Sequence, residues 1–354
     1  MIPILNNPDR IVREVVDFNQ KLAQGLENLS QISAIDVGAS QRETIYTEDK
    51  MVLCRFTPLV EKPFRIPVLV VYALVNRPYM ADLQKERSMI RRLLEQGMDV
   101  YLIDWGYPDE ADRFLSLDDY INGYIRRSVG VICERHGLSK INLLGICQGG
   151  TFSLCFSALH PDKVRNLVTM VTPVDFHAPG NLLSHWAQNL DVDLMVNTLG
   201  NIPGEMLNLT FLALKPFRLT AQKYLDLVQI MDDRTKLENF LCMEKWIFDS
   251  PDQVGEAFRQ FIKDFYQRNG LVKGEVTIGN KQVKLSNISM PVLNVFATED
   301  HLVPPEASTI LGKLVGTTDY TEMAFKGGHI GIYVSGRAQK EIPTAIVNWF
   351  RERE

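Results

Sequence analysis

Cysteine is scarce and scattered: five residues in 354 (Cys54, Cys133, Cys147, Cys155 and Cys242), odd in number and without a CxxC pair. This excludes a disulfide framework and a zinc cage, and it fits a reducing compartment. Long hydrophobic runs are missing as well. The longest aliphatic run, VLVVYALV at 68–75, is far too short to span a bilayer. Asp9, Arg10, Arg13 and Glu14 stand where a secretory peptide needs an apolar centre. A soluble cytoplasmic protein without a membrane span is therefore expected. Positive charge is not in excess: the net charge is −5, and no stripe of Lys and Arg alternates with aromatics, so nucleic acid is not an expected partner. Internal repeats and low-complexity segments are also lacking. The chain is 45% hydrophobic and 23% charged, which supports a substantial core.

Apolar residues at Ile11, Val15, Phe18, Leu22, Leu26 and Leu29 predict a one-sided amphipathic helix over about 9–30. Packing on its own domain is expected in preference to a subunit contact. From residue 65 the text alternates between apolar runs and helical stretches. The strands expected are 66–75, 99–106, 141–146 and 164–175, the sheet pattern returns over 290–305 and 320–331, and helices are expected over 83–97, 117–137, 147–159 and the C-terminal end. Strands apolar on both faces and alternating with helices imply a mainly parallel sheet covered on each side. Between 176 and 285 the rhythm breaks into a stretch rich in Met, Trp, Phe and Leu, read as a mainly helical cap insertion. The core is then 1–175 with 286–354.

Between strand 141–146 and the next helix stands Gly145-Ile146-Cys147-Gln148-Gly149. A nucleophile on a sharp strand-to-helix turn needs small residues two before and two after it, and Gly145 and Gly149 hold those places. The following helix dipole and the backbone N–H of Gln148 favour negative charge there, including a thiolate. Cys147 is the candidate nucleophile. The other four cysteines read as structural.

A thiol nucleophile needs a base and an orienting acid, and this fold supplies them in the chain order nucleophile, acid, histidine. Asp300 ends the strand VLNVFATED (292–300), and His329 lies in GGHIG, just after the next strand. Asp175 is the rival acid position. Among the remaining histidines, His136 and His160 sit at helix ends and His177 and His185 fall in the insertion. His301 is the competing base, but neighbours in an extended loop point apart, so Asp300 is poorly placed to orient it. The fold expected is an α/β-hydrolase with a Cys147-His329-Asp300 triad. Its second oxyanion donor would be the backbone N–H of Val75 or Asn76, in the loop after strand 66–75.

Cysteine in place of the usual serine points to acyl transfer from a coenzyme A thioester, because one thioester is exchanged for another at nearly equal free energy. An apolar lid containing Trp186, Phe211, Phe217, Trp246, Phe248 and Phe258 would keep water from competing.

The segments YALVNRPYM, VYLIDWGYP, DDYINGYI, NLLGICQGG, HPDKVRNLVTMVTPVDF, MEKWIFDSPDQ, RQFIKDFYQ, DHLVPP and GGHIGIYVSG together resemble the catalytic (PhaC) subunits of class III polyhydroxyalkanoate synthases, over essentially the whole chain. The resemblance implies polymerisation of (R)-3-hydroxyacyl-CoA, chiefly 3-hydroxybutyryl-CoA, into polyester with release of CoA. It implies the nucleophile, acid and base at Cys147, Asp300 and His329, with no metal and no cofactor beyond the CoA carried by the substrate. It further implies a second subunit (PhaE), a location on cytoplasmic polymer granules, and a homodimer as one form of the site. The related class IV enzymes have a different small partner. Two rivals remain at this stage: a thioesterase or dienelactone-hydrolase-like hydrolase using the same triad, and a non-catalytic granule-coat protein on the same fold.

Overall fold

The structure, a computed structural model, describes residues 8–32, 34–217 and 222–354. Two compact units are present: Gly38–Gly204 with Ser250–Glu354, and Met1–Val37 with Glu205–Asp249.

The first unit is built on an eight-stranded sheet. Its strands are β1 (Arg42–Glu48), β2 (Met51–Phe56), β3 (Val68–Val71), β4 (Val100–Asp104), β5 (Ile141–Ile146), β6 (Val164–Met170), β7 (Val292–Ala297) and β8 (Tyr320–Phe325). They lie in the order β1-β2-β4-β3-β5-β6-β7-β8. Only the β1–β2 and β2–β4 pairings are antiparallel; β4 to β8 run parallel through the rest of the sheet. β3 and β5 are buried at every position, as strands covered by helices on both faces must be. This is the mainly parallel α/β-hydrolase sheet expected from the sequence.

Buried amides fix how neighbouring strands align. Asn166 Nδ2 donates to Asn142 Oδ1 at 2.9 Å across β5 and β6, and Thr169 Oγ1 donates to Asn294 Oδ1 at 3.0 Å across β6 and β7. A register slip would strand these groups in an apolar core at about 1–3 kcal/mol each. The ladder therefore sets which residues emerge together at the carboxyl edge.

Several boundaries differ from the sequence reading. The β1–β2 pair has no counterpart in it; the strands meet at Asp49, whose φ is 50°. The helix expected over 83–97 begins only at Met89, as α2 (Met89–Glu95), because Ser88 caps it by accepting from the Arg91 N–H at 2.8 Å. Residues Asp82–Gln84 and Arg87–Ser88 form a hairpin instead. Within 117–137, a wider π turn at Asp119–Ile125 precedes α3 (Arg126–His136). The strand expected to reach residue 175 stops at Met170, where Val171 takes φ 45°.

The stretch 176–285 is divided between the two units. Phe261 makes the reason plain. Its ring lies 5.9 Å from Phe152 and 5.7 Å from Phe176, which builds residues 250–285 into the core beside the sheet.

The second unit is helical: α1 (Pro8–Ser30) with helices Lys223–Val228 and Arg234–Phe248 and most of Gly204–Ala213. α1 packs through Gly25, where a Cβ would strike Met231, and through Asn28 Nδ2, which donates to the Met231 carbonyl at 2.8 Å. Of the expected apolar stripe, Phe18, Leu26 and Leu29 are exposed and Leu22 is half-buried. Ile11 and Val15 of that stripe lie outside the residues whose side chains are described. Of the aromatics expected to form the lid, Trp246 is buried, whereas Phe217 and Phe248 are exposed. Among the described residues no helix is long and apolar enough to cross a membrane.

Candidate active site

β5 delivers Cys147 to the carboxyl edge of the sheet, and α4 (Gln148–Leu159) starts immediately after it. The cysteine adopts φ 54° and ψ −125°, a conformation that costs of order 1–3 kcal/mol for a residue with a side chain. Surrounding bonds hold it there. Its N–H donates to the Met170 carbonyl at 2.9 Å, and its own carbonyl accepts from Gly150 at 2.9 Å and Thr151 at 3.3 Å. The flanking glycines are required by contact. A Cβ on Gly145 would lie 2.5 Å from Gly150 Cα, and one on Gly149 would strike the Val71 carbonyl oxygen.

The loops after β7 and β8 are tied together before they present their side chains. Thr298 N–H donates to the Phe325 carbonyl and Glu299 N–H to the Gly327 carbonyl, both at 2.9 Å. One residue on from the first loop stands Asp300, and two residues on from the second stands His329. His329 Nδ1 and Asp300 Oδ2 are 2.6 Å apart and both residues are buried. The other carboxylate oxygen, Oδ1, accepts from the N–H groups of Leu302 at 2.8 Å and Val303 at 2.9 Å, so the acid cannot swing away.

The imidazole also hydrogen-bonds to Cys147. Burial opposes a charge on His329, but the Asp300 carboxylate, and then Cys147, outweigh it and hold the imidazole well above its ordinary 6.5. Cys147 is half-buried, whereas Cys54, Cys133, Cys155 and Cys242 are buried, and burial raises the thiol pKa of Cys54, Cys133 and Cys155. The structure thus brings Cys147, His329 and Asp300 into one line, the geometry of a hydrogen-bonded nucleophile, base and orienting acid.

The rival residues are occupied elsewhere. Asp175 Oδ1 accepts from Asn269 Nδ2 at 2.8 Å and from the His177 N–H at 2.9 Å. His136 Nε2 meets the Tyr101 hydroxyl at 2.9 Å, and His160 Nε2 meets Asn122 Oδ1 at 2.7 Å. His177 Nε2 contacts the Tyr266 carbonyl, and His185 lies exposed on helix Leu182–Gln188. The ring held by Asp300 at 2.6 Å is that of His329.

Among the described residues, the backbone N–H groups of Gln148 and Val75 donate to no other group of the chain. Both remain available to an oxyanion. The Asn76 peptide takes φ 60°.

Three tyrosines absent from the sequence reading complete the surroundings. Tyr72 and Tyr333 share a hydrogen bond, and burial pushes the phenols of Tyr72, Tyr266 and Tyr333 above their usual range, with charge on Cys147 adding to each. They remain neutral donors beside the sulfur. The signal for Tyr333 was its position four residues after His329, one helical turn along in α5 (Gly331–Val334).

Comparison with known proteins follows the same lines. The family model for the α/β hydrolase fold matches residues 66–335, and that for the N-terminus of poly-beta-hydroxybutyrate polymerase (PhaC) matches residues 10–93. The chain is 62% identical over 355 residues to the poly(3-hydroxyalkanoate) polymerase subunit PhaC of Allochromatium vinosum, covering 100% of both. It is 60% identical over 354 residues to the PhaC subunit of Thiocystis violacea, again covering 100% of both. A solved monoacylglycerol lipase of Paleococcus ferrophilus aligns with a TM-score of 0.51 at 20% identity, over 87% of this chain and 100% of that one. That likeness speaks to the fold alone. Identity as high as the first two, across the full length, establishes kinship: the chain belongs to the poly(3-hydroxyalkanoate) polymerase family, among its PhaC subunits.

Proposed function

We propose that this chain polymerises (R)-3-hydroxyacyl-CoA, chiefly 3-hydroxybutyryl-CoA, into polyester and releases CoA, with the growing chain carried as a thioester on Cys147. The observation that carries this reading is the buried Asp300–His329 pair, 2.6 Å apart and hydrogen-bonded onward to a half-buried cysteine at the sheet edge.

In the first half-reaction the Cys147 proton resides on His329 as the imidazolium, and the thiolate so formed attacks the thioester carbonyl. The N–H groups of Gln148 and Val75 hold the oxyanion. Collapse breaks the bond to the CoA sulfur, which leaves with the proton returned by His329. In the second, a substrate 3-hydroxyl gives its proton to His329 and its oxygen attacks the acyl-cysteine. An ester forms and the thiolate is restored. Asp300 orients the imidazole and stabilises its charged form, a role supported by its Oδ2 being engaged with Nδ1. The exchange of one thioester for another needs no metal and no cofactor beyond the CoA of the substrate.

The resemblance to class III synthases supports a second subunit of the PhaE kind, association with polymer granules in the cytoplasm, and a homodimer. Incubating purified protein with 3-hydroxybutyryl-CoA, with and without that subunit, tests the reading. Release of free CoA with growing turbidity from polymer is the expected result. Soluble 3-hydroxybutyrate as the main product would make the protein a hydrolase, and absence of CoA release would make it a non-catalytic granule protein.

A further inference from the structure

We infer that the side chains of Gln148 and Gln253 are positioning residues that clamp the loop after β3 and so aim the Val75 N–H at the reacting carbonyl. The inference rests on the proposed acyl transfer at Cys147.

The argument begins with the planarity of the peptide bond. The Leu74 carbonyl and the Val75 N–H belong to one rigid trans unit and point in opposite directions. Gln253 Nε2 donates to the Leu74 carbonyl oxygen at 2.9 Å, which fixes that plane and hence the direction of the Val75 N–H. The preceding plane is fixed too. Leu74 N–H donates to Gln148 Oε1 at 3.0 Å. With the peptide planes on both sides of Leu74 held, neither of its backbone torsions can relax, and the loop cannot rotate its donor away.

Both clamps are themselves well anchored. Gln253 is buried, and its backbone exchanges two hydrogen bonds with Ile202, each at 2.8 Å. Gln148 opens α4 directly after the nucleophile. One residue thus offers its backbone N–H as the first oxyanion donor and uses its side chain to place the second. Flanking bonds extend the frame: Trp105 Nε1 donates to the Tyr72 carbonyl at 3.0 Å, and Asn76 Nδ2 donates to Ser250 Oγ at 2.5 Å. Chemistry that depends on a preorganised donor suffers when that donor drifts, whereas reactions of the bare sulfur do not.

The test compares Gln148→Leu and Gln253→Leu with wild type in full-length protein. Steady-state CoA release is measured beside the rate at which iodoacetamide alkylates Cys147, a displacement that forms no oxyanion. Each variant is expected to lose on the order of 10²-fold in kcat, with KM and the alkylation rate staying within about threefold of wild type. The double variant is expected to lose no more than about threefold beyond the weaker single one, because both side chains hold the same loop. Wild-type kcat in both single variants would overturn the inference. So would a fall in alkylation that parallels the fall in kcat, since the nucleophile turn itself would then be disturbed. If wild-type protein fully alkylated at Cys147 continued to release CoA, the proposed acyl transfer and the clamp would fall together.

Discussion

Replacing Cys147 with alanine is expected to reduce CoA release from 3-hydroxybutyryl-CoA by at least about 10⁴-fold, as when the nucleophile is removed from a group of residues that act as a unit. The fold should survive, because alanine is smaller than cysteine and the turn is set by backbone bonds to Met170, Gly150 and Thr151 rather than by the sulfur. A thiol-reactive dye that reports free CoA provides the rate, and the thermal midpoint checks folding. The expected magnitude follows from what is left behind: the oxyanion donors and binding surface remain, but water has no positioned sulfur to replace. A variant that matches wild type in CoA release would mean that chemistry occurs elsewhere or that the triad is idle.

The second large effect is expected for Asp300→Asn. An amide there can keep two hydrogen bonds but cannot stabilise an imidazolium, and it can leave the ring with its proton on the wrong nitrogen. A loss on the order of 10³–10⁴-fold in kcat is expected. Its pH signature is distinctive. With Asp300 in place His329 stays protonated above its ordinary 6.5, and the carboxylate is the largest cause of that rise. The pair's contribution to stability is therefore complete below 6.5 and fades as pH climbs through the raised folded value. In Asp300→Asn burial acts with only Cys147 opposing it, so the histidine titrates lower and this window shrinks. Titration of the His329 ring by NMR, alongside denaturation midpoints across the same pH range, separates the two proteins. An unchanged His329 titration would show that the carboxylate does not govern the base.

How much of this was legible beforehand depends on whether the cause is local. Gly145 and Gly149 announce the nucleophile turn because their spacing about Cys147 is a pattern within five residues of chain, even though the crowding Gly149 relieves comes from Val71 and Tyr72 far away in sequence. Asp300 could be placed because it closes a largely buried strand, and His329 because it lies in the glycine-rich loop of the next strand, itself a partly exposed edge; the chain order of the fold does the rest. The β1–β2 pair escaped notice because β1 is a polar, partly exposed edge strand, β2 mixes buried with half-buried positions instead of forming an unbroken buried run, and the turn is carried by Asp49 rather than glycine. The start of α2 was misplaced because the hairpin before it depends on Asp82, which accepts from the Ser40 N–H and hydroxyl, both at 2.8 Å, more than forty residues away. Tyr72, Tyr266 and Tyr333 were not singled out, because their place beside the sulfur depends on segments far apart in sequence. Nothing near Gln253 in sequence hints that its amide grips Leu74, and the aromatic contacts of Phe261 that split the insertion join equally distant segments.

The most direct measurement is an acid quench of the protein during turnover of 3-hydroxybutyryl-CoA, followed by peptide mass spectrometry. One or more hydroxyacyl units attached to the peptide containing Cys147, and released by hydroxylamine, is the predicted result. Sustained CoA release and polymer growth with that peptide unmodified at every quench time would contradict it.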